Sequence, residues 1–409
     1  MRNSAILLVI LLTASCRVDD GDTDADTATP AAQEDGRVAT AFASGSDRLS
    51  AAELEAGRLE MNWREFVEQD SAGTQADSAA RAADGSRGPG SPSGEAWEDI
   101  TRESTNRGPV SLPVYGDVAG PSVLRVQILL DRALFSPGIV DGRWGRNTEK
   151  AVFWLQRRER LPASGHVDQA TWERLQQLGG QPTELVRSHP LTADDVAGPF
   201  VTLPEEYYDR RDMECQCYES LAEKLAEQYH TSEELLRQLN PDIDLNAVTA
   251  GTSLIVPNVE RASAGPANAG SIARIVISDG GGYLHALDAG DRIVYHFPAT
   301  LGSDYSPSPT GDYSITNIAH DPSWHYQPDL LEGVDDSDPD AVLPAGPNNA
   351  VGVVWMQLSM PHYGIHGTSA PETIGYATSN GCIRLTNWDA ELLGGRVQPG
   401  TPVAFRDVR

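Results

Sequence analysis

The hydrophobic pattern of the chain changes at about residue 271, and this change most constrains the fold. Upstream, apolar residues recur every three or four positions, as on one face of a helix. Downstream, short runs at 274–277, 283–287 and 292–297 alternate between apolar and polar residues and are separated by Gly-rich or Asp-rich turns. Such runs are typical of β-strands. The sequence therefore predicts helical units followed by a β sandwich or barrel.

The β region contains one cysteine, Cys382, and a histidine, His366, that lies sixteen positions upstream. A thiol is nucleophilic only as the thiolate, so a reactive cysteine needs a neighbouring base or cation. Sixteen positions suit two strands joined by a loop. Gly381 permits close approach of a substrate, and the backbone N–H groups of Gly381 and Cys382 are placed to receive an oxyanion. The pattern indicates acyl transfer through a thioester. The alternative is that Cys382 is a buried small hydrophobe and His366 an ordinary loop histidine.

The motif around these two residues is more specific than a lone pair. The segment IHGT, followed by S-x-G-C-I-R-L, resembles the signature of the L,D-transpeptidase (YkuD-type) family of bacterial cell-wall enzymes. The resemblance implies that Cys382 is the nucleophile and His366 the general base, with Gly381 as the oxyanion backbone. Ser379 and Arg384 match supporting motif residues. The substrate-binding neighbours that we infer are Gly367, Thr368, Asn380, Trp355 and Tyr363. Many family members have a second histidine where this chain has Asn380.

The same resemblance extends over the whole β region. The segment 308–313 resembles the family's P-T-G-x-[FY] motif, and 353–358 matches the strand that leads to the IHGT loop. We therefore take 271–409 as the catalytic domain. The fold class that follows is multidomain: a mainly-β YkuD-type domain, a three-helix peptidoglycan-binding domain, a small α+β LysM-like module and a disordered N-terminal tether.

The resemblance also implies a reaction. Cys382 would be acylated by the third-residue carbonyl of a tetrapeptide stem, usually meso-diaminopimelate, with release of D-Ala. An amine of another stem, or of a wall-attached protein, would then accept the acyl group. Two alternatives stay open. Water could resolve the thioester, giving an L,D-carboxypeptidase or endopeptidase, or the chain could be a non-catalytic wall-binding scaffold.

Composition limits the partners. With 59 acidic against 31 basic residues, the net charge of −28 argues against nucleic acid as a partner. No His/Cys cluster has the spacing of a zinc site, so we expect no metal and no cofactor. Peptidoglycan stem peptides and glycan strands are the expected partners. The oligomeric state stays open.

Two modules precede the catalytic domain. Helical periodicity in 111–180 surrounds a D-G-x-W-G-x-x-T turn, which resembles a peptidoglycan-binding three-helix domain; Thr148 of this turn can cap the second helix. In 213–259, two short helices and an L-I-V-P strand resemble a LysM module that binds N-acetylglucosamine chains, the alternative being a structural spacer. Residues 181–212 and 260–270 are predicted linkers. Because these modules supply targeting, we expect deletion of 121–257 to leave the thiol chemistry intact.

The N-terminus has the features of a lipoprotein signal. An apolar run at 5–12 precedes Thr13-Ala14-Ser15-Cys16, which resembles a lipobox with Thr where Leu is commoner. We predict a signal peptide at 1–16 and lipidation of Cys16, the alternative being ordinary cleavage near Ser15. Arg17 after the cysteine resembles the outer-membrane sorting pattern. The expected location is therefore exported, periplasm-facing and anchored by lipid to the outer membrane.

Three further segments carry predictions. Residues 17–110 are acidic and poor in aromatic residues, which predicts a disordered tether, with one short marginal helix at 51–67. The long insert at 319–349 is predicted to form a lid over the thiol. Cys215 and Cys217 are free to pair or to stay reduced, and the sequence leaves both possibilities open.

Overall fold

The computed structural model describes residues 94–259, 272–303, 306–331 and 338–406. All of them lie in one compact unit. The predicted signal peptide, Cys16, the predicted helix at 51–67, most of the predicted tether and the whole linker 260–270 lie outside the described residues.

The last part of the predicted tether is folded. A short 3₁₀ turn, Trp97–Asp99, is followed by helix α1 (Arg102–Arg107), and the hydroxyl of Thr101 accepts the N–H of Ser104 to cap it. Ile100 is fully buried in a cluster with Leu124 and Ile128. The prediction of disorder is therefore wrong for 94–110, because one apolar side chain in a polar segment finds a tertiary partner.

The three helices of the predicted peptidoglycan-binding domain are confirmed. They are α2 (Pro121–Arg132), α3 (Arg146–Glu159) and α4 (Gln169–Leu178). Proline suits the first position of α2, whereas the carboxylate of Asp168 caps α4 by accepting the N–H of Thr171. Val126, Leu130 and Leu175 are buried between the helices, at the spacing that the sequence shows.

The next unit has two strands and two helices in the order strand, helix, helix, strand. These are β1 (Val186–Pro190), α5 (Leu221–Gln228), α6 (Glu233–Leu239) and β2 (Ser253–Pro257). β1 runs antiparallel to β2. The predicted boundaries are wrong here, since the first strand and a 3₁₀ turn, Tyr207–Asp212, lie inside the predicted linker 181–212. We call 186–257 the strand-helix unit. Cys215 and Cys217 form a disulfide, which answers the question that the sequence left open.

The mainly-β class of the C-terminal domain is confirmed. Its strands are β3 (Arg274–Ser278), β4 (Tyr283–Leu287), β5 (Ile293–Pro298), β6 (Gly311–His320), β7 (Trp324–Tyr326), β8 (Ala341–Leu343), β9 (Val354–Leu358), β10 (Gly364–His366), β11 (Ile383–Arg384) and β12 (Pro402–Arg406). Eight of them form one sheet in the order β11-β10-β9-β6-β12-β3-β4-β5, and β7 pairs with β8 separately. Helix α7 (Asn387–Gly394) follows β11 directly. Buried residues of β3, β9, β10, β11 and α7 share one core cluster.

The helical domain and the sheet share a second core. Trp154 of α3 contacts both Tyr283 and His285 of β4, at ring-centroid distances of 5.0 and 4.6 Å. The buried Nζ of Lys150 donates to the carbonyl of Gly282 at 3.0 Å. The expectation that 121–257 supplies only targeting therefore conflicts with the structure, because the helical domain covers part of the catalytic sheet.

A buried ion pair lies between α2 and α5 and contacts the start of α7. His230 Nδ1 is 2.7 Å from the carboxylate of Asp131, and the imidazole stacks on Trp388 with centroids 5.0 Å apart. Burial disfavours the imidazolium, but the hydrogen bond and the charge of Asp131 outweigh it and raise the pKa of His230. The catalytic domain thus meets both preceding units at one junction.

The insert packs on the strand-helix unit. Trp324 and Tyr326 of β7 contact Tyr207 and Tyr208, with ring centroids 5.4 and 6.1 Å apart. The N–H of Gln216 donates to the carbonyl of Ala345 at 2.9 Å. The prediction of a lid over the thiol is wrong for the described part of the insert, because its hairpin faces 207–217. Among the helices that the structure describes, none is long and apolar enough to cross a membrane.

Candidate active site

The predicted nucleophile lies in a tight turn at the start of β11. The hydroxyl of Ser379 donates to the carbonyl of Cys382 at 2.6 Å and accepts the N–H of Gly381 at 3.1 Å. Gly381 has φ +95°, and a Cβ there would lie 2.8 Å from the ring of Tyr363 and 3.2 Å from the carbonyl of Pro307. Only glycine fits this position without strain. The motif residues Ser379, Gly381 and Tyr363 thus fix the backbone that carries the thiol.

The turn changes the expected oxyanion site. The N–H of Gly381 is taken by Ser379, so the prediction that this group receives an oxyanion is wrong for the conformation observed. The N–H of Cys382 makes no hydrogen bond to the part of the chain that the structure describes. It is therefore the better placed of the two predicted donors.

The predicted base lies on the strand beside the nucleophile. β10 runs parallel to β11, with His366 opposite Arg384 and Ile365 opposite Ile383. Both isoleucines are fully buried in the core. Since side chains alternate across a sheet, His366, Arg384 and Cys382 share the other face.

Hydrogen bonding fixes the tautomer of the histidine. Nδ1 of the buried His366 lies 2.6 Å from the carbonyl oxygen of Gly367. A carbonyl can only accept, so Nδ1 carries the proton and Nε2 keeps its lone pair. Trp355 stacks on the imidazole with centroids 5.3 Å apart and an interplanar angle of 26°. Trp355, predicted to bind substrate, therefore supports the ring that must accept a proton.

Burial keeps both reacting groups neutral at rest. Burial, with a smaller contribution from the charge of Arg384, lowers the pKa of His366 to about 3. It also raises the pKa of the Cys382 thiol. The resting pair is therefore a thiol and a neutral imidazole rather than an ion pair. Sγ of Cys382 lies 3.6 Å from the carbonyl oxygen of His362, so the thiol proton must leave this acceptor before it reaches His366.

A side chain that the sequence did not single out supports the histidine loop. Oδ1 of Asn387, the first residue of α7, accepts the N–H of Thr368 at 3.1 Å and of Val353 at 3.2 Å. A Cβ on Gly367 would overlap this amide. Gly367 and Thr368 were predicted to bind substrate. In the structure they form the contact with Asn387 that supports the loop. Asn387 directly follows the S-x-G-C-I-R-L-T segment. This position next to the motif was the only feature of the sequence that indicated its supporting role.

The loop between His366 and Cys382 is anchored on helix α3. Nδ2 of Asn147 donates to the carbonyl of Ile374 at 2.8 Å, and Arg146 lies over the ring of Tyr376 at 5.0 Å. A Cβ on Gly145, the residue before α3, would overlap the hydroxyl of Tyr376, so the tyrosine packs against the start of the helix. The predicted cap, Thr148, is wrong, because α3 begins at Arg146 with Gly145 before it.

We expect Tyr376→Phe to loosen this loop. The substitution removes the hydroxyl that packs against the start of α3 but keeps the aromatic ring. The rate at which Cys382 is acylated should fall severalfold, whereas the melting temperature should change little. Tyr115→Phe, at another exposed tyrosine, is the matched control. Equal acylation rates for Tyr376→Phe and the wild type would show that the anchor does not matter.

Two other predicted residues border the thiol. Asn380 is half-buried in the turn, and the Nε of Arg384 is buried without a hydrogen-bond partner in the described part of the chain. An unpaired guanidinium nitrogen on the face of Cys382 suits an anionic or carbonyl group of a substrate. Within the described ranges, no group of three or more His, Cys, Asp or Glu side chains is arranged to hold a metal ion.

A mainly-β domain with a cysteine beside a neutral histidine is the architecture of a cysteine-dependent acyltransferase. The family model of the L,D-transpeptidase catalytic domain (YkuD) matches residues 272–404, and a provisional peptidoglycan-binding domain matches 119–175. A provisionally named L,D-transpeptidase YkuD of Bacillus licheniformis is 33% identical over 183 residues, 45% of this chain and 92% of the relative. Its Bacillus subtilis counterpart is 31% identical over 181 residues, which are 44% of this chain and 90% of that relative. The chain belongs to the YkuD L,D-transpeptidase family.

A solved L,D-transpeptidase of Xylanimonas cellulosilytica also matches. It is 17% identical, and the match covers 73% of this chain and 99% of that chain with a TM-score of 0.33. The family assignment rests on the two relatives from Bacillus.

Proposed function

We propose that this protein is a peptidoglycan L,D-transpeptidase. The observation that carries the proposal is the hydrogen bond from His366 Nδ1 to Gly367, which leaves Nε2 as a base on the face of Cys382. Sγ attacks the third-residue carbonyl of a tetrapeptide stem while His366 takes the thiol proton. The bond to D-Ala breaks, and His366 gives the proton to the leaving amine. The amine of a second stem, or of a wall-attached protein, then attacks the thioester, and its proton returns to sulfur through His366.

Arg384 and the backbone of Cys382 would assist these steps. A developing oxyanion needs a hydrogen-bond donor in place before the reaction, and the N–H of Cys382 fits that need. The charge of Arg384 lowers the pKa of the thiol and opposes the effect of burial. The same charge suits the carboxylates of a stem peptide.

Product analysis tests the reaction. Purified protein is incubated with tetrapeptide stems, with and without an acceptor stem, and the muropeptides are separated and weighed. We expect 3→3 dimers and released D-Ala, both absent with Cys382→Ala. Tripeptide alone, with an acceptor supplied, would establish the hydrolase alternative. Neither product, with retained sacculus binding, would establish a scaffold. A carbapenem gives an independent test, because it should form a covalent adduct at Cys382.

We also propose that the preceding units bind the wall. The strand-helix unit has the element order of a LysM module, and a family model supports the peptidoglycan-binding helices. The Cys382→Ala protein should sediment with purified sacculi, and oligomers of N-acetylglucosamine should compete if the strand-helix unit binds glycan. Sedimentation that these oligomers leave unchanged would reject glycan binding by that unit.

The N-terminal segment supports a further proposal, that Cys16 is lipidated and holds the exported protein at the outer membrane. Each buried CH₂ of an acyl chain adds roughly 0.8 kcal/mol, so a multiply acylated cysteine holds firmly. The acidic chain after it would span the gap to the wall.

We expect Cys16→Ala to release the protein from membranes or to stall its processing. Fractionation of cells that express the wild-type and variant chains, with the mass of the mature N-terminus, measures both effects. A wild-type protein found wholly in the soluble fraction, without acyl mass, would reject the anchor.

A further inference from the structure

We propose that Glu227, on helix α5 of the strand-helix unit, is a positioning residue for His366. It acts through Asn387 and through the peptide that joins Gly367 to Thr368. This inference rests on the proposed function, because it assigns a task in preparing the catalytic base. It also makes a helix outside the catalytic domain part of the active site.

The planar peptide that joins Gly367 to Thr368 links the amide of Asn387 to His366. The carbonyl of Gly367 accepts the proton of His366 Nδ1, and the N–H of the same peptide, from Thr368, donates to Asn387 Oδ1 at 3.1 Å. The two groups of a trans peptide point in opposite directions in one plane. The amide of Asn387 therefore holds this peptide plane in place. The carbonyl of Gly367, at the other edge of the plane, fixes the tautomer of His366.

Glu227, together with the carbonyl of Pro347, decides which way that amide points. Nδ2 of Asn387 donates to Oε2 of Glu227 at 3.0 Å and to the carbonyl of Pro347 at 3.1 Å. With a carboxylate on this side, the NH₂ end must face Glu227 and the oxygen must face Thr368. The reverse orientation would place two donors together at Thr368. The other carboxylate oxygen, Oε1, accepts the hydroxyl of Tyr218 at 2.8 Å.

The carboxylate is buried but reachable. A cavity of about 360 Å³ is lined by Glu227, Tyr218, Lys224, Asn387 and Glu391, so a proton can reach the site. Burial, with smaller contributions from the charges of Glu223 and Glu391, raises the pKa of Glu227 to about 7. The hydrogen bonds from Tyr218 and Asn387 oppose that rise.

The sign of the pH effect follows. The ionised carboxylate only accepts and holds the amide of Asn387, whereas the protonated acid carries a hydrogen that competes for this position. Activity that depends on the ionised form is present above the pKa of Glu227 and is lost as the pH falls through it. His366, with a pKa of about 3, stays neutral over this window and does not cause the loss.

The test measures the rate of carbapenem acylation of the full chain from about pH 5 to pH 9, a span that covers the titration of Glu227. We expect the wild-type rate to fall on the acid side of neutrality. Glu227→Gln should remove this dependence and lower the rate at high pH about tenfold, a small part of what a general base contributes. The concentration for half-saturation should change little, since Glu227 does not touch the ligand.

Two further variants keep the test decisive. Tyr218→Phe removes a donor to the carboxylate, so it should shift the fall in rate to higher pH. Glu391→Gln removes a charge beside the same cavity. It leaves intact the hydrogen bonds that link Glu227 to His366, so it should keep the wild-type rate at high pH.

The outcomes are distinct. A folded Glu227→Gln protein with the rate and pH profile of the wild type would overturn the inference. If Glu227→Gln does not fold, an unshifted profile for Tyr218→Phe would overturn it instead. A wild-type chain that forms no adduct would count against the proposed function, before any variant is compared.

Discussion

Replacing Cys382 with Ser is expected to abolish formation of the acyl-enzyme. A hydroxyl is far less acidic than a thiol, and His366, whose pKa is about 3, is too weak a base to activate it. We expect acylation to slow by about 10³-fold or more, the scale on which loss of a nucleophile acts. Intact-protein mass spectrometry with a carbapenem measures the adduct, and the melting temperature checks that the near-isosteric variant is folded.

The disulfide offers a control for this experiment. Cys382 is the free cysteine among the described residues, whereas Cys215 and Cys217 are joined to each other. A chain in which Cys215 and Cys217 are both serine should still form the adduct, because neither sulfur lies at the site. Substantial acylation of a folded Cys382→Ser protein would contradict the assignment of the nucleophile.

Deletion of 94–257 is expected to unfold the catalytic domain rather than to leave its chemistry intact. The deletion would uncover Tyr283 and His285 on the sheet and remove both supports of the catalytic loop, at Asn387 and at Tyr376. Circular dichroism and carbapenem acylation of the chain that lacks 94–257 measure its folding and its thiol chemistry. A truncated protein with a cooperative transition and the wild-type acylation rate would restore the expectation that these units only target the wall.

A single substitution tests the same interface in the intact chain. Trp154 is 1% exposed, and Trp154→Ala should lower the free energy of unfolding by about 3–5 kcal/mol through lost packing and the cavity left behind. Phe200→Ala, at a residue that is 39% exposed, removes an aromatic ring from the surface and should cost much less. Denaturant unfolding compares the two. Similar losses for both would show that the shared core contributes little.

Features with a short period or a fixed spacing could be predicted from the sequence. Alternating apolar and polar residues predicted β3, β4 and β5, and helical spacing of apolar residues predicted α2, α3 and α4. A compact motif identified Cys382 and His366 as candidate catalytic residues. These signals are local, because a strand or helix that buries one face must repeat its apolar residues at the period of its backbone. The motif residues Ser379 and Gly381 are likewise contained in one turn.

The residues that lie against that site could not be predicted from the sequence, because they come from distant parts of the chain. Glu227 and Asn387 are separated by 160 residues, and Asn147 and Ile374 by 227, so no local pattern relates them. The insert was assigned to the thiol because the sequence does not show that its hairpin packs against Tyr207 and Tyr208. A buried polar group must find a partner, but which partner it finds depends on how distant segments pack.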